Sequence, residues 1–173
     1  MAALDGLDAS QVRELLDRQE ILDCVLRYCR GIDRQDQELV LSAFHADAVE
    51  RHGEYCGSPQ GFVEWIWPQL EVRESDHHLI GNHFVEVDGD VAHAETYIRG
   101  GYKRGGEVVM CSARYIAPFE RRDGEWRIAA RTVPVEWTTK LQAVPDNPLD
   151  PVGSRDRSDP SFQRPLIVEL PGE

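Results

Sequence analysis

Three glycine-bearing turns, Asp88-Gly89-Asp90, Arg104-Gly105-Gly106 and Asp123-Gly124, punctuate residues 77–138, a stretch otherwise rich in strand-forming side chains. Strands joined by two or three residues return antiparallel to their neighbours, because a parallel return needs a long crossover. The turns therefore predict four successive strands, 77–87, 91–103, 107–121 and 125–138. Ahead of them the pattern is helical. A first helix is expected over 11–32, a second over 35–44, a short strand over 48–54, and a third helix opening at Gly57-Ser58-Pro59 and running through Trp65 toward Leu70. Ser58 is its expected N-cap and Pro59 its first residue, while Pro68 should end or kink it. Helices followed by a long meander give an α+β fold, in which a curved, antiparallel to mixed sheet wraps around the N-terminal helices.

The first helix carries the strongest chemical clue. Leu15, Leu22, Val25, Leu26, Cys29 and Ile32 recur at helical spacing, and stepping back from Asp33 lands on Cys29, Leu26 and Leu22. Asp33 is thereby expected on the buried face, with Tyr28 on its adjoining edge. A buried carboxylate needs a hydrogen-bonding partner or stays protonated. One reading makes Asp33 a cap for the second helix; the other gives it a histidine. The run Asp76-His77-His78-Leu79-Ile80-Gly81-Asn82 supplies that histidine. Side chains alternate along a strand, so only one of His77 and His78 can join Asp33, and His78 is preferred. His83 is expected on the face of His77. His45 and His52 are expected to be partly exposed.

Composition bounds the partners. A chain of 173 residues suits one domain with a real core. A net charge of −12 with no clustered Lys and Arg argues against nucleic acid or an anionic membrane, and favours a neutral small molecule. No apolar run has the length of a membrane span, and the N-terminal residues lack the pattern of a signal peptide, so a cytoplasmic location is expected. Cys24, Cys29, Cys56 and Cys111 have no paired metal-ligand spacing and read as core thiols, so neither metal nor cofactor is expected. The expected division is a globular domain over 1–139 and an extended tail over 140–173, which holds six of the ten prolines. Its apolar residues, Leu149, Phe162, Leu166, Ile167, Val168 and Leu170, suggest a strap that packs on the body or on another subunit.

Residues 28–36 (YCRGIDRQD), 77–90 (HHLIGNHFVEVDGD) and 114–131 (RYIAPFERRDGEWRIAAR) together resemble the SnoaL-like branch of the nuclear transport factor two superfamily over roughly residues 10–138. The resemblance implies a cone-shaped α+β barrel with a deep pocket, assembled as a homodimer or homotrimer. Its scytalone dehydratase, hexachlorocyclohexane dehydrochlorinase and bile-acid dehydratase members use an Asp-His pair for cofactor-free elimination. Asp33 and His78 match that pair, Tyr28 matches a pocket tyrosine, and Arg131 falls on a pocket-lining position. A fold alone does not fix function.

The pair has a physical rationale of its own. A carboxylate accepting one ring N–H fixes the tautomer, presents the other nitrogen as base and stabilises the imidazolium that forms. Tyr28 and Arg131 are candidates to face developing negative charge. Trp65, Phe44 and Tyr115 are candidate substrate contacts for a hydrophobic cyclic or aromatic molecule. The reaction expected is a dehydratase-type elimination. The alternatives are an isomerase or polyketide cyclase using the same proton abstraction, or a non-catalytic binding module like the small subunits of ring-hydroxylating dioxygenases.

Overall fold

The computed structural model describes residues 8–145 and 153–167. Helix α1 (Ala9–Asp33) starts where the Asp8 side chain accepts the Ser10 N–H, and α2 (Gln37–Leu41) starts where Asp36 accepts that of Leu39. Strands β1 (Phe44–His52) and β2 (Tyr55–Gly57) form a hairpin through Gly53, whose φ of 60° is easy only for glycine. Helix α3 (Pro59–Glu71) follows, with the Ser58 hydroxyl accepting the Gly61 N–H. Then come β3 (Ser75–Asp88), β4 (Val91–Arg104), β5 (Glu107–Arg122), β6 (Glu125–Val133) and β7 (Val135–Gln142).

The sheet has the order β2-β1-β6-β5-β4-β3, with β7 also on β5. Among the described residues only β1 with β6 is parallel, so the sheet is mixed, as expected for this α+β architecture. Its concave face carries Ala92, Ala94, Ile98, Ala113, Tyr115, Ala117 and Phe119, all buried, and α1 and α3 pack over it.

Several expectations need correction. The apolar stripe of α1 is rotated: Ile21, Cys24, Val25, Tyr28, Cys29 and Ile32 are buried, whereas Leu15 and Leu26 are exposed. Apolar residues occupy more of the helix than one face can hold, so spacing alone chose the wrong edge. The second helix is shorter than 35–44, because Gln35 takes a left-handed φ of 52° and Phe44 already pairs with Ile128 in the sheet. Helix α3 runs through Pro68 to Glu71, and the Gln69 side chain reaches back to the Trp65 carbonyl. The single strand expected over 125–138 is broken at Pro134, which has no N–H for the ladder, and both halves stay on β5. Cys56 is exposed and Cys111 half-buried, so only Cys24 and Cys29 are core thiols.

Past β7, the described part of the tail lies against the body through its arginines and acids. Arg155 donates to the carbonyls of Leu70 and Arg73 at 2.8 and 3.1 Å and pairs with Asp76 at 2.8 Å. Asp159 lies 3.7 Å from Arg34, and Arg30 stands over the Phe162 ring. Of the expected apolar anchors, Leu166 and Ile167 are exposed, and Leu149, Val168 and Leu170 lie outside the described residues. Among the described residues, no helix is long and apolar enough to cross a membrane.

Candidate active site

Asp33 is the last residue of α1, and its carboxylate meets β3 side-on. Oδ1 lies 2.6 Å from His78 Nδ1, and Oδ2 accepts the His78 backbone N–H at 3.1 Å. A carboxylate only accepts, so Nδ1 is assigned a proton, and in the neutral ring Nε2 carries the lone pair. Both side chains are largely buried, at 15% exposed for His78 and 17% for Asp33. His77 points outward and is exposed. His83, however, does not share its face. The β3–β4 register shifts between Ile80 and His83, so the bulge around Gly81 and Asn82 turns His83 inward to Thr96 Oγ1 at 2.8 Å. Desolvation, with Arg18 nearby, pushes the His83 pKa down. His45 is likewise buried rather than partly exposed, its Nε2 2.9 Å from the Glu120 carbonyl.

His78 opens onto a cavity of about 170 Å3 between the concave sheet and α3, walled by Ile32, Phe62, Ile66, Leu70 and Ile98. A dry cavity of roughly 150 Å3 holds benzene, so this space suits a single ring. Gly100 pairs with His78 across the β3–β4 ladder. A Cβ there would stand 3.7 Å from His78 Cδ2 and 3.5 Å from Cys111 Sγ, so glycine leaves open space beside the imidazole.

Arg131 is a buried ion-pair partner. Its guanidinium bonds Glu50 through Nε at 2.9 Å and Nη2 at 2.8 Å. It also lies 3.8 Å from the ring centre of Tyr28, 4.5 Å from that of Tyr115 and 5.1 Å from that of Phe44. Burial would raise the Glu50 pKa, but Arg131 and His52 outweigh it and hold the carboxyl below its usual range. Burial pushes both phenols, Tyr28 and Tyr115, well up, and the Cys29 thiol up to about 12. Both tyrosines therefore stay protonated as hydrogen-bond donors. Tyr115 Oη is buried with no partner among the described residues.

Of the expected site residues, Asp33 and His78 meet, and Tyr28 and Tyr115 line the cavity with His78. Arg131, Phe44 and Trp65 lie outside its lining: the first two form the buried cage, and Trp65 packs against Tyr55 and Phe62. Residues absent from the expected site also line it. His52, set aside as a partly exposed histidine, faces the cavity, and at the rim Asp76 lies between Arg73 at 2.7 Å and Arg155 at 2.8 Å. The alternation Glu50, Arg51, His52 was the available signal, since it puts the acid and the imidazole on one face. Among the described residues, no three His, Cys, Asp or Glu side chains converge as a metal site.

Residues 13–132 match the SnoaL-like domain family. Hexachlorocyclohexane dehydrochlorinase 1 of Sphingobium indicum is 24% identical over 144 residues, covering 78% of this chain and 92% of that protein. In three dimensions the chain is similar to a type-two hexachlorocyclohexane dehydrochlorinase, with a TM-score of 0.70, 22% identity, and 80% of this chain and 97% of that one covered. A candidate scytalone dehydratase from Novosphingobium aromaticivorans gives a TM-score of 0.68 at 14% identity, with the same coverage, 80% and 97%.

Proposed function

The chain belongs to the SnoaL-like domain family, and from that membership we propose that it is a cofactor-independent lyase, eliminating water or another leaving group from a hydrophobic cyclic or aromatic small molecule. The observation that carries this reading is the 2.6 Å contact of Asp33 with His78 Nδ1, on a ring that opens into an apolar cavity. His78 Nε2 takes a proton from a carbon next to an electron-withdrawing group. The freed electron pair forms the double bond, and the leaving group departs with the pair of its own bond. Asp33 holds the tautomer and offsets the charge of the imidazolium. A positioned base supplies roughly 10²–10⁴-fold, and donors facing the developing oxyanion supply further stabilisation. Tyr28 and Tyr115, which line the cavity, are the candidates for that second task.

The dehydrochlorinase and dehydratase relatives support a lyase over other chemistries of the fold. The test is incubation of wild type and His78→Ala with hexachlorocyclohexane and with a panel of cyclic β-hydroxyketones, reading product masses. Loss of hydrogen chloride or water with wild type alone is the expected result. Identical product profiles for the two proteins would remove the lyase assignment.

A further inference from the structure

A second acid–imidazole pair lies beside the same cavity, with its imidazole in the lining. Glu50 and His52 lie two residues apart on β1, toward the opposite edge of the sheet from β3 and His78. Glu50 is fully buried and held by Arg131, and its Oε1 stands 3.4 Å from His52 Nδ1. That nitrogen is buried and has no hydrogen bond among the described residues, so the Glu50 carboxylate is the acceptor it faces. The ring stacks on Phe62 at 5.3 Å with an interplanar angle of 19°, which fixes its plane. The side chain is 29% exposed and lines the cavity that holds His78. As at His78, one ring nitrogen lies near a carboxylate, here at 3.4 Å and without a hydrogen bond, and the other has no hydrogen-bond partner among the described residues.

A base alone accomplishes half of a dehydration. Hydroxide is a poor leaving group and departs as water only when it gains a proton as its bond breaks. Of the other donors in the lining, Tyr28 and Tyr115 do not serve, because burial pushes their pKa up, away from proton release. Arg73, the arginine of the lining, stays charged, and Asp76 is held between Arg73 and Arg155. His52 is the remaining imidazole of the lining.

Resting on the lyase reading, we propose that His52 is a second catalytic residue, the general acid that passes its Nε2 proton to the departing oxygen while His78 Nε2 takes the carbon-bound proton. The C–H pair becomes the new double bond, the C–O pair leaves with oxygen, and the oxygen gains the proton of His52 to become water. His78 ends protonated and His52 neutral, and exchange with solvent resets both. The enzyme's net charge is unchanged through the step.

Two probes that differ in leaving group test this. A cyclic β-hydroxyketone must lose hydroxide, whereas nitrobenzisoxazole opens to a stabilised phenolate that needs no proton. His52→Gln should lower kcat on the β-hydroxyketone by roughly 10²-fold or more beyond any loss on nitrobenzisoxazole, the scale of general acid catalysis. Retained nitrobenzisoxazole turnover also shows that the variant is folded, and His52→Asn should reproduce the split. Equal loss on both probes would make His52 structural, and unchanged turnover of both would remove it from the reaction. Wild type and His78→Gln behaving alike on both probes would overturn the lyase reading, and the acid role with it.

Discussion

Asp33 grips His78 at two points, Oδ1 on the ring Nδ1 at 2.6 Å and Oδ2 on the backbone N–H at 3.1 Å. One carboxylate thereby orients the imidazole and ties β3 to the end of α1, so the orientation of the ring does not depend on packing alone. Removing the charge should uncouple the two effects. Asp33→Asn can still approach both groups, but its amide can present NH2 to Nδ1 and favour the tautomer with Nε2 protonated. Turnover of nitrobenzisoxazole is expected to fall by roughly 10²-fold or more, with a smaller change in melting temperature.

The buried Glu50–Arg131 pair sets an acid limit on stability. Because the Glu50 pKa is depressed in the folded protein, its contribution is fully present above the ordinary carboxylate pKa and is lost as pH falls through the lower folded value. Glu50→Gln leaves the buried Arg131 without a counter-charge, and a loss of about 3 kcal/mol is expected at neutral pH. Urea denaturation across acidic pH should show a flatter pH dependence for the variant than for wild type.

Gly100 is expected to set ligand size. Gly100→Val keeps a residue suited to β4 but fills the space beside His78 Cδ2 and Cys111. KM for ring-shaped substrates should rise roughly tenfold, the order of one or two methyl groups in a tight pocket, while the Asp33–His78 bond persists. An unchanged KM would place the ligand elsewhere in the cavity.

Arg155 links the C-terminal segment to the cavity rim, since Leu70, Arg73 and Asp76 all line the cavity. Arg155→Ala should cost about 2 kcal/mol, the scale of hydrogen bonds to a charged group, and speed proteolysis beyond Ala143. Calorimetry and limited digestion read the two effects. A wild-type melting temperature would show the segment to be an independent tail.

Local chemistry accounts for what the sequence made legible. The Gly turns set the antiparallel run, Ser58 and Pro59 set the start of α3, and strand alternation separated His78 from His77. Long-range pairing hid the rest. Nothing near Arg131 announces Glu50, because their strands meet only through the parallel β1–β6 ladder. The bulge after Ile80 defeats simple alternation and brings His83 to the inner face. The apolar residues of α1 exceed one face, so the helix rotation is decided by the sheet it covers, and Leu15 and Leu26 stay outside.

The central claim, that His78 removes a carbon-bound proton, is tested most directly by the deuterium isotope effect on nitrobenzisoxazole elimination, compared between wild type and His78→Ala. A primary isotope effect in wild type, with the enzymatic rate reduced by roughly 10²-fold or more in His78→Ala, is the predicted result. Equal rates for the two proteins would contradict it.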